Sequence, residues 1–242
     1  MVFGLFSKEK SLQRTIERAT NKLSQQPDRW GAMEKLRDEG SEEALYGLCK
    51  RFGITSMKGV EDEQEKNWVV DTLVAKGPVA EQPLRRFLKS AQHLAFPLKV
   101  LERICNKDRA LEIVDELLAI ETPGYTRDPE RRMDLIHWLA EWPAVTSTEV
   151  VPRVQPYLAD FDENVRYAAI DGIAHHEVAL AGPALVAALV RPEEESGRVK
   201  RRIAEVLAEH KIPLGEHEAK VGPLLVGPVG GFKVEGGVLV AR

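Results

Sequence analysis

The sequence predicts an all-α chain, a right-handed α-solenoid of about six helix pairs closed by a short C-terminal β-hairpin. Three observations carry that expectation. First, an apolar residue followed by alanine recurs at Leu139-Ala140, Ile173-Ala174 and Leu207-Ala208, 34 residues apart each time, with looser echoes at Ile104, Leu73 and Leu36. A fixed period of that length is the mark of stacked helical hairpins. Second, apolar residues fall at i, i+3, i+4 and i+7 between punctuating Gly, Pro and Ser, which places them on one stripe of each helix. Third, the last 30 or so residues turn rich in glycine and proline, a composition that excludes helix.

The elements follow in order. A first pair spans about 8–25 and then Pro27 to Glu39, with Gly40 as its stop. Ser41 caps a second pair carrying Leu45, Leu48 and Cys49, then a helix over Glu61–Lys76 with acids in its first turn, where the macrodipole favours them. Its Trp68, Val69, Thr72 and Leu73 share a face. Gly77-Pro78 opens a third pair, with Leu84, Phe87 and Leu88, then Leu94, Leu98, Leu101 and Ile104. Asp108 is the expected cap of the fourth, whose second helix is read as Asp128–Trp142. The fifth follows Pro143, with Val150, Val151, Val154 and Leu158, then Val165, Ala169, Ile170 and Ile173. The sixth follows Gly182-Pro183, with Leu185 and Leu189, then Val199, Ile203, Val206 and Leu207. Residues 1–210 form the helical array in this reading, and 211–242 a tail. Within the tail, Phe232–Glu235 and Val238–Ala241 flank Gly236-Gly237, the pattern of a two-residue hairpin turn. An isolated hairpin is barely stable in water, so it is expected to cap the sixth pair.

Composition narrows the function classes. The 242 residues are 43% hydrophobic and 30% charged, as in folded soluble chains. A net charge of −4 offers no overall attraction to nucleic acid or an anionic membrane. Cys49 and Cys105 both lie in apolar helical stretches and read as buried free thiols of a cytoplasmic protein. No apolar run reaches the ~18 residues of a membrane span, and the start is too short for a secretory signal. Phe3, Leu5 and Phe6 near that start read as a cap on the first pair, or as a docking segment for a partner or membrane.

The stretch Pro152 to Ala174 carries a motif. Its apolar first helix is followed by Asp162-Glu163-Asn164-Val165-Arg166-Tyr167-Ala168-Ala169, and this Asp, Val-Arg, Ala-Ala order resembles the HEAT repeat. A 34-residue shift places Asp128 and Arg132 upstream, and Ser196 and Lys200 downstream. The pattern covers 128–208, whereas 8–106 matches by helix spacing alone. The chain is also similar to HEAT-repeat proteins of bacteria, a resemblance that implies no activity. Four-residue spacing lets Asp162 meet Arg166, and Asp128 meet Arg132, along one helix; in HEAT arrays such residues also form ladders between repeats. Arg202 stands where Ala168 does one repeat earlier, so that helix is expected to face the end of the array or solvent.

Three chemistries stand against that background. His175-His176-Glu177 and His217-Glu218 resemble the His-Glu pairs of deoxyhypusine hydroxylase, a HEAT-repeat metalloenzyme. A symmetric metal site needs such pairs from facing repeats, and here the repeats carry none at equivalent positions. No metal or other cofactor is expected. Arg198, Lys200, Arg201 and Arg202 resemble the basic groove of HEAT-like DNA glycosylases, but Glu193, Glu194, Glu195, Glu205 and Glu209 surround them. Nothing matches the HEAT-like bilin lyases. Phosphate loops, paired CxxC motifs and nucleophile elbows are missing from the sequence, so the expected protein is not an enzyme. The expectation is a protein-binding module whose concave face carries Arg132, Met133 and His137; Arg166, Tyr167 and Asp171; and Lys200, Arg201 and Glu205, in register at 34 residues.

Overall fold

In the computed structural model the backbone is described for residues 2–242 and side chains for 8–242. The role expected of Phe3, Leu5 and Phe6 lies outside those side chains. The chain is mostly helical, with a small antiparallel sheet at its C-terminus. It divides into two compact units, Met1–Leu117 and Leu118–Arg242, and the C-terminal tail belongs to the second.

The first unit holds α1 (Val2–Ala19), α2 (Gln26–Glu39), α3 (Glu42–Cys49), α4 (Gly59–Lys76), α5 (Glu81–Leu88) and α6 (Ala95–Ile104). Most of α7 (Lys107–Ile120) also lies in it. Helices α1, α3 and α5 pack in one row, and α2, α4 and α6 in another. The predicted punctuation holds at α2 and α3. Gly40 ends α2 in the left-handed region, at φ 63°, and its N–H bonds the Leu36 carbonyl. Ser41 caps α3 by accepting from the Ala44 N–H. At α7 the cap is Asn106 rather than Asp108: its Oδ1 accepts the Arg109 N–H at 2.9 Å, leaving Asp108 inside the first turn. The apolar stripes form the core, with Met33, Leu36, Leu45, Leu48, Leu73, Leu84 and Leu98 all removed from solvent. Cys49 is buried there, and burial pushes its thiol far up. Cys105, by contrast, sits at the C-cap of α6 and is half-buried. Its thiol is pushed up to about 11 by burial and by the Glu81 carboxylate.

The second unit is built from α8 (Glu130–Glu141), α9 (Ser147–Val154), α10 (Glu163–Ala174), α11 (Gly182–Val190), α12 (Gly197–Glu209) and the single turn α13 (Glu218–Val221). Helix α10 packs between α8 and α12. The residues that set the 34-residue period, Leu139, Ile173 and Leu207, are fully buried on these three helices. Helix α8 starts two residues later than predicted, behind Pro129. A residue preceding proline is pushed out of the helical region, so Asp128 stays outside and donates its N–H to Thr126 Oγ1.

The hairpin closes as the sequence predicts, but the glycine- and proline-rich stretch ahead of it is not free of helix, since α13 and short 3-10 turns at 215–217, 222–224 and 227–229 occupy it. Strands β1 (Phe232–Glu235) and β2 (Val238–Ala241) pair in the register Phe232↔Ala241 through Glu235↔Val238. Gly236 and Gly237 both have positive φ, 61° and 80°, as the favoured two-residue turn requires. Strand β2 packs on α12, burying Leu239 completely, and the Leu214 N–H bonds the Gly237 carbonyl at 2.9 Å.

Candidate functional site

The arginine and acid positions of the second unit form a repeating ladder, but not the one within each helix that four-residue spacing suggests. Arg132 on α8 reaches Asp160 (Nη1–Oδ2 2.8 Å). One period later, Arg166 on α10 grips Glu194 with Nε at 2.7 Å and Nη2 at 2.9 Å. Both links span 28 residues, and both acids then accept the backbone N–H two residues on, at Asp162 and Ser196. Those two residues are the N-caps of α10 and α12. Asp162 is therefore occupied by the Asn164 and Val165 N–H groups and does not pair with Arg166. Likewise Asp128, outside its helix, does not pair with Arg132. Each ladder link ties one helix to the loop that starts the next.

The expected site residues fall into two groups. Arg132 is 5% exposed, and Arg166 is half-buried over a Glu194 that is 1% exposed, so both arginines are engaged within the fold. The remaining positions do reach the surface. His137 and Arg201 are exposed, while Met133, Tyr167, Asp171, Lys200 and Glu205 are half-buried. The α10–α12 face is cross-linked by charge. Arg198 lies 3.9 Å over the Tyr167 ring and bonds Asn164 Oδ1 at 3.0 Å. Arg201 meets Glu205 at 3.1 Å. Arg202, expected to face the array's end or solvent, instead crosses to Asp171 at 2.6 Å. Burial lowers its pKa, but the Asp171 carboxylate outweighs that and raises it. Three members of the basic run, Arg198, Arg201 and Arg202, are thus matched by acids and an amide.

The ladder also displays a feature the sequence reading passed over. Arg132 Nη1 donates to the Gly124 carbonyl, and Arg166 Nη1 to the carbonyls of Asp160 and Phe161. Those two loops bear Tyr125 and Phe161, 72% and 69% exposed. Their rings meet edge to face with centroids 5.4 Å apart, a favoured aromatic geometry. The signal lay in two aromatics on polar loops just ahead of the ladder helices.

The histidines do not converge. His175 Nδ1 lies 2.7 Å from the Asp171 carbonyl, and His176 Nδ1 lies 3.4 Å from Ser147 Oγ. Burial lowers the His176 pKa. Among the described residues no group of three or more His, Cys, Asp or Glu is placed to hold a metal ion.

In the first unit a second, denser ionic cluster is buried. Glu65 on α4 accepts from Arg29 (Nη2 at 2.8 Å) and Arg51 (Nε at 2.7 Å). Asp62 accepts from Arg51 Nη2 and Lys66 Nζ, each at 2.7 Å, and from the Ser56 N–H at 2.8 Å. Burial pushes the Asp62 carboxyl up, but the bonds from Lys66, Arg51 and the Ser56 N–H outweigh it and hold the group at about 2, against an ordinary 3.8. A lowered folded pKa stabilises fully above the ordinary value, and the gain is lost as pH falls through about 2. Acid titration of unfolding is therefore expected to show a loss on the order of 2 kcal/mol from this group as pH drops below about 4. Asp62→Asn should remove that part of the slope, as read by denaturant melts at stepped pH. No family model, curated protein or solved structure matches the chain.

Proposed function

We propose that this chain is a non-enzymatic, cytoplasmic protein-interaction module, a HEAT-like right-handed solenoid whose partner docks on the second unit. One observation carries the reading: Tyr125 and Phe161 stand exposed in edge-to-face contact, on loops whose carbonyls are held by the ladder arginines. Large aromatics left in solvent are informative when they are grouped and rigid. Aromatic and arginine side chains dominate binding energy at protein interfaces, and pre-organisation lowers the entropy lost on binding. The solenoid reading draws support from the 34-residue period and from the successive packing of α8, α10 and α12. On the same unit, Tyr167, Arg198, Arg201 and Glu205 make a surface of both signs of charge, which suits a protein better than a phosphate backbone.

The test is capture from native lysate with tagged protein, with and without nuclease, read by mass spectrometry. Wild type should retain a small nuclease-resistant set of proteins. A Tyr125→Ala/Phe161→Ala double variant should lose them while melting at the wild-type temperature. Partners that survive the double substitution, or that vanish with nuclease, would refute this reading.

A further inference from the structure

A second surface of the same unit has the chemistry of a peptide groove. Between the short 3-10 turn at 155–159 and α11 runs an open groove of about 530 Å³. Its apolar lining includes Leu158, Ala187 and Ala188, small enough on the α11 side for another backbone to come close. Its charged lining is one-signed: Arg191 and Lys220 border it beside His217, and no carboxylate is among the described residues that line it. In a chain of net charge −4 that local bias is notable.

The two acids seen in contact with this rim do not cancel it. Glu194 lies 3.3 Å from Arg191 Nη2, but the same carboxylate is held by Arg166 at 2.7 and 2.9 Å, so one negative charge faces two guanidiniums. Glu216 approaches His217 Nε2 only to 3.9 Å and is itself 90% exposed. Two polar atoms at this corner, Arg191 Nε and His217 Nδ1, are buried without a hydrogen-bond partner among the described residues. Buried donors and acceptors are normally satisfied, and each one left alone is costly.

We infer that this groove binds an acidic amphipathic peptide segment of a partner protein, its apolar face lying on Leu158, Ala187 and Ala188 and its carboxylates meeting Arg191, His217 and Lys220. Such a ligand matches both halves of the lining. A helix laid with its apolar stripe in a groove is a common mode of peptide recognition, and alanines in the floor permit its close approach. The site uses other side chains than the Tyr125–Phe161 patch, so either can fail alone.

The experiment is selection of a random displayed-peptide library on the purified full chain, followed by fluorescence anisotropy of the enriched peptides. Enriched sequences should be net acidic, with apolar residues at helical three- and four-residue spacing. Ala187→Trp, which fills the groove, and Lys220→Glu, which reverses its rim, should each weaken binding at least about tenfold. Both positions are exposed, so both variants should keep the wild-type melting temperature. The proposal is overturned by no enrichment, by enriched peptides without net negative charge, or by acidic peptides that bind both variants as well as wild type. Selection repeated on the Tyr125→Ala/Phe161→Ala chain should return the same peptides; their loss there would assign them to the aromatic patch and overturn the groove.

Discussion

Glu65→Ala is expected to cost the first unit at least about 3–5 kcal/mol, the largest loss of any single change in it. The carboxylate is wholly buried and is the shared acceptor of Arg29 and Arg51, themselves 2% and 0% exposed. Removing it leaves two guanidiniums in the interior. Arg29 would keep its bond to the Ser24 carbonyl, and Arg51 its bonds to the Ile54 carbonyl and Asp62. Those partners satisfy some N–H groups, but they do not replace the central charge. Native domains are stable by only about 5–15 kcal/mol, so the variant should melt far earlier or fail to fold. Glu65→Gln keeps an acceptor oxygen in the same place and should fall between the two. Denaturant unfolding of both variants checks the order. An Ala variant as stable as wild type would mean that the cluster is not buried as described.

Asp160→Ala is expected to be the most damaging ladder change, at about 3–5 kcal/mol in the second unit. Asp160 is 3% exposed and does three things at once. It neutralises Arg132 at 2.8 Å, accepts the Gly124 N–H at 3.3 Å and accepts the Asp162 N–H at 2.8 Å. Arg132 already has a buried Nε without a hydrogen bond, its nearest carboxylate being Glu121 at 3.9 Å. Losing Asp160 therefore strands most of a buried guanidinium and loosens the loop that carries Tyr125. Circular dichroism melts should show the destabilisation. Hydrogen exchange should show faster opening at 122–128 and at the start of α10.

The helix pairs were legible because burial writes itself as a 3.6-residue stripe, and caps and glycine stops mark the ends. The hairpin was legible because Gly236-Gly237 meets a conformational demand that few other residues satisfy. The ionic interior is absent from the expectations drawn from the sequence, which name neither Arg29 nor Glu65. A signal existed: Arg29 lies three, four and seven residues ahead of Ala32, Met33 and Leu36, on the buried stripe of α2. Glu65 stands likewise four and eight ahead of Val69 and Leu73. A charge on an apolar stripe asks for a buried partner, and each of these was the other's. In the ladder, the period applied to Arg132 and Arg166 applies equally to Asp160 and Glu194, also 34 apart. Reading the acid from the same helix rather than the next loop paired each arginine wrongly. Which side chains remain for a partner is a three-dimensional matter, because it depends on which charges the interior has already taken.

That division of labour among the arginines of successive periods is most directly tested by equilibrium unfolding of Arg166→Ala beside Arg201→Ala. Arg166 holds a buried carboxylate and two loop carbonyls, whereas Arg201 meets only Glu205 at the surface in the contacts described. Arg166→Ala should lose about 2–4 kcal/mol, and Arg201→Ala should stay within about 0.5 kcal/mol of wild type. Equal, small effects would contradict the ladder and return Arg166 to the surface.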